Sequence, residues 1–292
     1  MLNFQPIALA DRGQLHSYLY RSEPHGSEYS FANLFFWGEQ TFAEIGKTPV
    51  FLSRFGSHYS YLFPFDRPEL LPLLRDDAHA RGIPFRVFGM TENELKHFPA
   101  SQYGVRTVRD SSDYVYDIER LTELRGKKLQ AKRNHCNRFE AEHPDYRVLP
   151  LDAELLALCR AFTERWYAQH LENGSEADYE GERKAIALAF DHFDALHMEG
   201  VALTTEQGMV AFAMGNRIRE TVFDVNFEKA LADVNGAYPM INREFARLLH
   251  ARYPAVRLLN REDDMGIAGL RRAKESYFPD LLLEKYLAEE RT

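Results

Sequence analysis

The sequence predicts a mixed α/β protein in which helices alternate with mostly antiparallel strands. Runs of β-branched and aromatic residues bounded by glycine turns predict strands, and apolar residues spaced three and four apart predict helices between them. Both parts of the chain repeat one order of elements: helices, an antiparallel meander, a helix and a strand. A chain of 292 residues is long enough for two such domains. We therefore predict two halves, residues 1–144 and 145–292.

In the first part, residues 27–38 predict a short aromatic helix that ends at a glycine. Three strands follow, with turns at Gly46 and Gly56, which is typical of a meander. The remaining predicted elements are a helix at 68–81, a strand at 83–88, a helix with a Thr-Glu capping box at 91–98, strands at 105–108 and 114–118, and a charged helix at 121–143.

In the second part, the spacing of Leu155, Cys159, Phe162 and Trp166 predicts a strongly amphipathic helix over residues 152–170. The other predicted elements are a strand at 146–149, a helix at 183–193, strands at 200–204, 209–216 and 221–226, a helix at 233–253, a strand at 256–260, a short helix at 266–274 and a last strand at 281–287.

The composition argues against several classes of protein. No apolar run is long enough to cross a bilayer, and the N-terminus lacks the basic start and apolar block of a signal peptide. The net charge of -8 argues against general nucleic-acid binding. Cys136 and Cys159 form no disulfide framework and are expected to be inert core residues. We expect a soluble, cytoplasmic protein.

The densest set of polar residues lies between residues 224 and 277. It occupies a strand end at 224–229, a helix start at 235–238, and the segment 260–277 that follows another strand. Ligands bind at such positions in α/β proteins, because free N–H groups at helix starts and strand ends converge there. The chemistry is therefore predicted in the second half.

Two segments resemble a known family. Asn260-Arg261-Glu262-Asp263-Asp264-Met265-Gly266, followed by Gly269-Leu270-Arg271-Arg272-Ala273-Lys274, is similar to a bacterial family allied to the C-terminal catalytic domain of phosphatidylglycerol lysyltransferase. The helix at 125–139 is similar to the central segment of that family, and distantly to the Fem aminoacyltransferases. The resemblance extends from about residue 25 onward.

The resemblance implies two GNAT-like acyltransferase halves in tandem, and transfer of an aminoacyl or acyl group to an amine or hydroxyl acceptor. The donor would be aminoacyl-tRNA or acyl-CoA, and the acceptor a small molecule or a lipid head group. After the strand at 221–226 the sequence is Glu-Lys-Ala-Leu-Ala-Asp instead of the glycine-rich pyrophosphate loop of acetyl-CoA users. Without that set of N–H groups, acetyl-CoA is the weaker donor hypothesis.

Transfer of this kind needs a base for the acceptor and a donor of hydrogen bonds to the developing oxyanion. The candidate catalytic residues are Asp224, Glu228, Glu262, Asp263 and Tyr277. The candidate substrate-binding residues are Asn226, Lys229, Tyr238, Asn260, Arg261, Arg271, Arg272 and Lys274. The competing interpretation is a structural ion network between Glu262, Asp263 and the cations of the short helix.

An excess of cations on the helix at 125–138 predicts contact with an anionic donor. The candidate donor-binding residues are Lys127, Lys128, Lys132, Arg133, Asn134, Asn137 and Arg138. The alternative is an ordinary solvated helix face. No metal site is predicted, since no histidine lies at ligand spacing near the acidic residues. Two other functions stay open: a coenzyme A-dependent N-acetyltransferase, and a binding protein that has lost its chemistry.

Overall fold

The computed structural model describes residues 1–22, 25–171 and 176–291. Within them the α-helices are α1 (Arg12–Leu19), α2 (Phe31–Phe36), α3 (Leu71–Arg81), α4 (Ile118–Glu123), α5 (Gln130–Glu142), α6 (Ala153–Leu171), α7 (Glu176–Asp191), α8 (Ala237–Arg252) and α9 (Ala268–Glu275). The strands are β1 (Gln5–Pro6), β2 (Glu39–Ile45), β3 (Thr48–Phe55), β4 (His58–Leu62), β5 (Arg86–Met90), β6 (Tyr103–Thr107), β7 (Asp113–Asp117), β8 (Arg147–Pro150), β9 (Met198–Thr205), β10 (Gly208–Arg217), β11 (Val222–Ala230), β12 (Leu258–Asn260), β13 (Leu281–Leu283) and β14 (Tyr286–Glu290).

These strands form two sheets of mostly antiparallel strands, with helices beside them. The first has the order β1-β2-β3-β4-β5-β14-β6 and the second the order β13-β7-β12-β11-β10-β9-β8. Parallel pairing occurs between β4 and β5 and between β11 and β12. The mixed α/β class with two mostly antiparallel sheets flanked by helices, predicted from the alternation of patterns, is confirmed.

The chain divides into two compact units. The first contains residues 1–113, 263–267 and 282–292, and the second contains residues 114–262 and 268–281. These units differ from the predicted halves because residues 114–144 pack with the second sheet, and β14 pairs with β5 and β6 of the first. The predicted last strand at 281–287 is accordingly two strands that belong to different sheets.

The first unit has an apolar core between its sheet and α3. Leu74 and Ala78 of α3 are fully buried against Tyr61, Val87 and other sheet residues. A polar cluster is also buried in this unit, where Lys285 Nζ lies 2.6 Å from an oxygen of Asp113 and 2.6 Å from an oxygen of Glu28. Two carboxylates around one ammonium give a buried cation the partners it requires.

In the second unit, α6, α7 and α8 pack on the sheet through aromatic side chains. Phe245 of α8 contacts Phe223 of β11 edge to face, with ring centres 5.8 Å apart. Phe162 of α6 and Phe190 of α7 contact Phe212 of β10 at 5.7 and 5.8 Å. The spacing that predicted the helix at 152–170 therefore corresponds to a buried face, since Cys159, Phe162 and Trp166 are buried.

The predicted charged helix at 121–143 is broken into α4 and α5. Leu124 has a left-handed backbone, φ 51°, and Gly126 has φ 86°, so the chain turns between the helices. A short 3-10 turn, Lys127–Leu129, then leads into α5. This break explains why the polar and apolar residues of the segment do not separate as they would on one continuous helix.

Strand β11 contains a bulge beside Gly215 of β10. The pair Met214 with Phe227 is followed by Asn216 with Asp224, so β11 has one extra residue in this interval. A Cβ atom on Gly215 would overlap the backbone carbonyl oxygen of Asp224. Glycine is therefore required here for the close approach of the two strands.

We predict that Gly215→Ala lowers the free energy of unfolding by about 1–3 kcal/mol, because backbone atoms of β11 must move to admit the methyl group. Urea unfolding followed by circular dichroism measures the change. Gly181→Ala is the matched control: Gly181 is an exposed position of α7 with no neighbour within 4 Å, and alanine there should stabilise the helix slightly. Equal midpoints for Gly215→Ala and the unchanged chain would show that the strands can separate at no cost.

Candidate functional site

The candidate site of the second unit lies where β11 and β12 part. The two strands pair only from Val222 with Leu258 to Asp224 with Asn260. Beyond Asn260 the chain stays with β7, since Arg261 N–H donates to the Tyr114 carbonyl (2.9 Å) and Tyr114 N–H donates to the Glu262 carbonyl (3.1 Å). The rest of β11 has no pairing to β12, so polar side chains can occupy the space at that edge.

The centre of the site is an ion pair between Arg261 and Glu228. Arg261 Nη2 donates to Glu228 Oε1 at 3.0 Å, and both side chains are nearly buried, with 11% and 12% exposed. Asn242 of α8 donates from Nδ2 to the other oxygen, Oε2, at 3.1 Å. Both oxygens of the carboxylate are therefore fixed by side chains from two different elements.

Two buried polar atoms beside this carboxylate lack a hydrogen-bond partner within the described residues: Arg261 Nη1 and Asn242 Oδ1. Such atoms are uncommon in folded proteins because each one left unpaired costs free energy. One is a cationic donor and the other an amide acceptor. The pair of orphans therefore suits a ligand that offers both an oxygen acceptor and an N–H or O–H donor.

Aromatic rings lie next to the guanidinium group. Its Cζ atom is 5.0 Å from the ring centre of Tyr277 and 5.7 Å from that of Tyr116. The two rings are edge to face, 6.4 Å apart. Burial raises the pKa of both phenols above the ordinary value, so they stay protonated and uncharged. The Tyr116 hydroxyl donates to the carbonyl oxygen of Lys274 at 2.8 Å.

A second polar group of the site consists of Asp224, Asn226 and Glu262. Asn226 Nδ2 lies 3.2 Å from Asp224 Oδ2 and 3.1 Å from Glu262 Oε1, so one amide connects the two carboxylates. Asp224 is completely buried. Asn260 ends β12 and accepts a hydrogen bond from the Glu262 N–H at 2.8 Å.

The backbone of Glu262 is left-handed, with φ 55°. A residue other than glycine pays for this conformation, and such strain is concentrated at functional sites. The hydrogen bonds of Glu262 to Asn260 and Tyr114 hold the conformation. Glu262 is thereby fixed beside Asn226 rather than in the direction that β12 would otherwise take.

The cations of the predicted substrate group are used in different ways. Lys274 is buried, and its Nζ donates to the Arg261 carbonyl at 2.5 Å. Arg271 is half-buried and Arg272 is exposed. Lys229 lies apart from the ion pair: its Nζ is 2.7 Å from Glu182 Oε2 and 3.6 Å from the centre of the Trp166 ring.

Tyr238 and Asp263 also lie outside the group around Arg261. The pKa of Tyr238 is raised by burial, near Trp166 and Ala230. Asp263 belongs to the first unit. Burial lowers the pKa of Lys285 in that unit, but the charges of Asp113, Glu28 and Asp263 together raise this pKa above its ordinary value. The polar residues predicted as one constellation are therefore divided among three environments.

The helix predicted to meet an anionic donor brings one lysine to the site. Lys132 Nζ is 4.2 Å from the centre of the Tyr277 ring, while Lys128 lies over Phe278 at 5.3 Å. Arg133 turns back to the carbonyls of Leu124 and Gly126. The remaining residues of the predicted set, Lys127, Asn134, Asn137 and Arg138, are exposed.

Within the described ranges, no group of three or more His, Cys, Asp or Glu side chains is arranged to hold a metal ion. Cys136 and Cys159 are buried and free, and burial raises their pKa values to about 11 and about 12. Among the described helices, none combines the length and the apolar composition that crossing a bilayer requires.

Comparison with known proteins identifies the family. Residues 20–289 match the family described as phosphatidylglycerol lysyltransferase, C-terminal. The chain belongs to this family. The resemblance stated from segments 125–139 and 260–274 is confirmed.

The chain is similar to a solved protein of unknown function from Bacteroides thetaiotaomicron, with 34% identity, a TM-score of 0.90 and full coverage of both chains. L-PGS from Bacillus licheniformis has 18% identity and a TM-score of 0.64 over 97% of this chain and 93% of that one. A tandem GNAT protein of clavulanic acid biosynthesis has 10% identity and a TM-score of 0.50 over 99% and 98%. The last two comparisons show the fold alone, which is the predicted tandem GNAT type.

A curated relative, an uncharacterized protein of Mycoplasmoides gallisepticum, is 26% identical over 195 residues. The match covers 65% of this chain and 60% of the relative, so the chain spans less than two thirds of that protein's length.

Two residues of the site, Asn242 and Tyr116, were not predicted from the sequence. Asn242 lies within the predicted helix at 233–253, next to Arg243, and Tyr116 lies within the predicted strand at 114–118. Asn242 is a buried polar residue that follows the buried Ile241 on this helix. A buried amide in that position requires a partner, and here the partner is Glu228.

We predict that Arg261→Met lowers the free energy of unfolding by about 3–5 kcal/mol, because it leaves the Glu228 carboxylate buried without its cation. The double variant Glu228→Gln/Arg261→Met should recover a large part of that loss, since it removes both charges. A double-mutant cycle with Glu228→Gln, measured by urea unfolding, gives the coupling energy. Additive effects of the two single changes would mean that the pair contributes nothing to folding.

Proposed function

We propose that the second unit transfers an aminoacyl group from an activated ester to an amine or hydroxyl acceptor. One observation carries the proposal: Arg261 Nη1 and Asn242 Oδ1 are buried and unpaired on either side of the Glu228 carboxylate. An ester of an amino acid has a carbonyl oxygen that suits the guanidinium and an ammonium group that suits the amide oxygen and the carboxylate.

The three side chains would have different tasks. Arg261 donates to the carbonyl oxygen, and the same hydrogen bond strengthens as that oxygen gains negative charge in the tetrahedral intermediate. Glu228 and Asn242 hold the α-ammonium group, which fixes the carbonyl carbon relative to the attacking atom. Tyr277 covers one side of the guanidinium and reduces its contact with water, so its charge acts more strongly.

Family membership and the tandem GNAT fold support an acyl-transfer reaction. They leave the donor open between aminoacyl-tRNA and acyl-CoA. A simple acyl group has no ammonium, and would leave Asn242 Oδ1 unpaired. The geometry around Glu228 therefore favours the aminoacyl donor. Two exposed cations, Lys127 in the turn before α5 and Arg138 of α5, suit the phosphates of a tRNA.

Arg271, Lys274 and the Asp224–Asn226–Glu262 group complete the proposed site. Lys274 fixes the backbone carbonyl of Arg261, so it positions the guanidinium rather than contacting a ligand. Glu262 and Asp224 form an acidic region around Asn226, which suits the cationic or hydroxyl-bearing part of an acceptor such as a small amine or a lipid head group.

We predict that the chain transfers a labelled amino acid from aminoacyl-tRNA to an acceptor, and that Arg261→Lys reduces the rate on the order of 10²–10³-fold because the second guanidinium nitrogen is lost. Glu228→Gln should raise KM for the donor, because the carboxylate no longer pairs with the ammonium. The assay follows acid-precipitable label and products on thin-layer plates. Acetyl-CoA is tested in parallel.

Glu206→Gln is the matched control, since Glu206 is exposed in the β9–β10 turn and its loss should leave the rate unchanged. Transfer from acetyl-CoA, but not from aminoacyl-tRNA, would show that the donor is a thioester and that the proposed aminoacyl donor is wrong. Binding of either donor in a thermal-shift experiment without turnover would favour a binding protein that retains only the scaffold.

A further inference from the structure

The side chain of Lys132 has an unusual set of neighbours. Its ammonium nitrogen lies over the Tyr277 ring, whose centre is 4.2 Å away. Arg261 lies 5.0 Å from the same ring, so two cationic groups share one aromatic neighbour. Within the described residues no carboxylate is within ion-pair distance of Lys132 Nζ, whereas Lys229 has one such partner and Lys285 has two.

The titratable side chains around Lys132 come from several parts of the second unit. Arg261 approaches from the segment after β12, Glu228 from β11, Cys136 from the next turn of α5, and Tyr277 from the residues after α9. Glu228 is already engaged by Arg261 and Asn242. Half-burial and the guanidinium thus oppose the charge on Lys132, and no single anion offsets them.

Lysine in such surroundings loses its proton more readily than in water. Burial lowers the pKa of Lys132, and the charge of Arg261 lowers it further, against smaller opposing effects of Glu228 and Cys136. Exposed lysines such as Lys128 and Lys127 lie on the same stretch of chain. A general base must be neutral at the working pH and close to the reacting groups.

We infer that Lys132 is the general base of the proposed transfer and takes the proton from the acceptor. This assignment rests on the proposed function and adds the residue that activates the acceptor, a task that sequence patterns had given to the carboxylates. Lys132 and Arg261, which holds the carbonyl, both lie beside the Tyr277 ring, so the base and the ligand of the electrophile share one aromatic neighbour.

The hydroxyl or amine of the acceptor attacks the ester carbonyl carbon, its O–H or N–H bond breaks, and the proton moves to the neutral Nζ of Lys132. The bond between the carbonyl carbon and the donor's ester oxygen then breaks. The Lys132 ammonium returns the proton to that oxygen, so the donor leaves as an alcohol and the lysine is neutral again.

The first test measures ionisation without any substrate. The intact chain is labelled with a trace of acetic anhydride over a series of pH values, and mass spectrometry follows Lys132 and Lys128 separately. We expect Lys132 to reach half of its limiting reactivity at a lower pH than Lys128. Arg261→Met should move the Lys132 midpoint up and Glu228→Gln should move it down, because the two charges act in opposite directions.

A Lys132 midpoint equal to or above that of Lys128 overturns the assignment, whether or not the chain transfers amino acids. The two variants also protect the test against misfolding: if Arg261→Met does not fold, the downward shift in Glu228→Gln alone decides. Failure of the proposed function would appear instead as absence of transfer from every donor while the labelling result stands.

The second test separates a base from an anion-binding cation. Lys132→Arg keeps the positive charge but cannot lose its proton at working pH. If Lys132 is the base, Lys132→Arg should reduce kcat on the order of 10²–10⁴-fold, as much as Lys132→Met does. KM should change little, and the rise of kcat with increasing pH should be lost. If Lys132→Arg keeps kcat and only Lys132→Met raises KM, Lys132 binds an anion and the inference is wrong. Lys47→Arg and Lys47→Met, at an exposed position in the turn between β2 and β3, are the matched controls.

Discussion

Taking the charges of Arg261 and Glu228 out of water costs free energy that only a close and correctly oriented partner offsets. The pair draws together three parts of the second unit: β11 supplies Glu228, the residue after β12 supplies Arg261, and α8 supplies Asn242. Because β12 ends at Asn260, the chain leaves β11 at the position where the pair requires space. The parting of these two strands and the ion pair are therefore one feature of the fold.

The Arg261–Glu228 ion pair also affects the electrostatic surroundings of a nearby lysine. Glu228 neutralises Arg261, but Lys132, which lies beside the Tyr277 ring as Arg261 does, has no ion-paired carboxylate among the residues that the structure describes. Lys229, the residue after Glu228, shows the contrasting case: Glu182 and the Trp166 ring supply the partners of a fully buried ammonium. Consecutive side chains of a strand point to opposite faces of its sheet. Glu228 therefore contacts α8, whereas Lys229 contacts α6 and α7.

Much of the second unit could be predicted from sequence, because local patterns determine it. The hydrophobic spacing of α6 and α8 predicted two helices that the structure contains, and the polar residues from Asp224 onward lie on β11. The features that could not be predicted are contacts between residues that lie far apart in the sequence. No local pattern shows that β14 pairs with β5 and β6, or that Lys229 pairs with Glu182 rather than with the residues near Arg261. A list of polar residues on one segment does not say which of them meet.

The segment after β12 shows why sequence proximity misled here. Glu262 and Asp263 are neighbours, yet Glu262 packs with the second unit and Asp263 with the first. The left-handed backbone at Glu262 makes that division, since it turns the chain within one residue. Asn260 holds the turn through its side-chain oxygen, and an extended backbone there would carry Glu262 away from Asn226. Strain at this residue thus keeps a carboxylate in the site, at a cost that the surrounding hydrogen bonds offset.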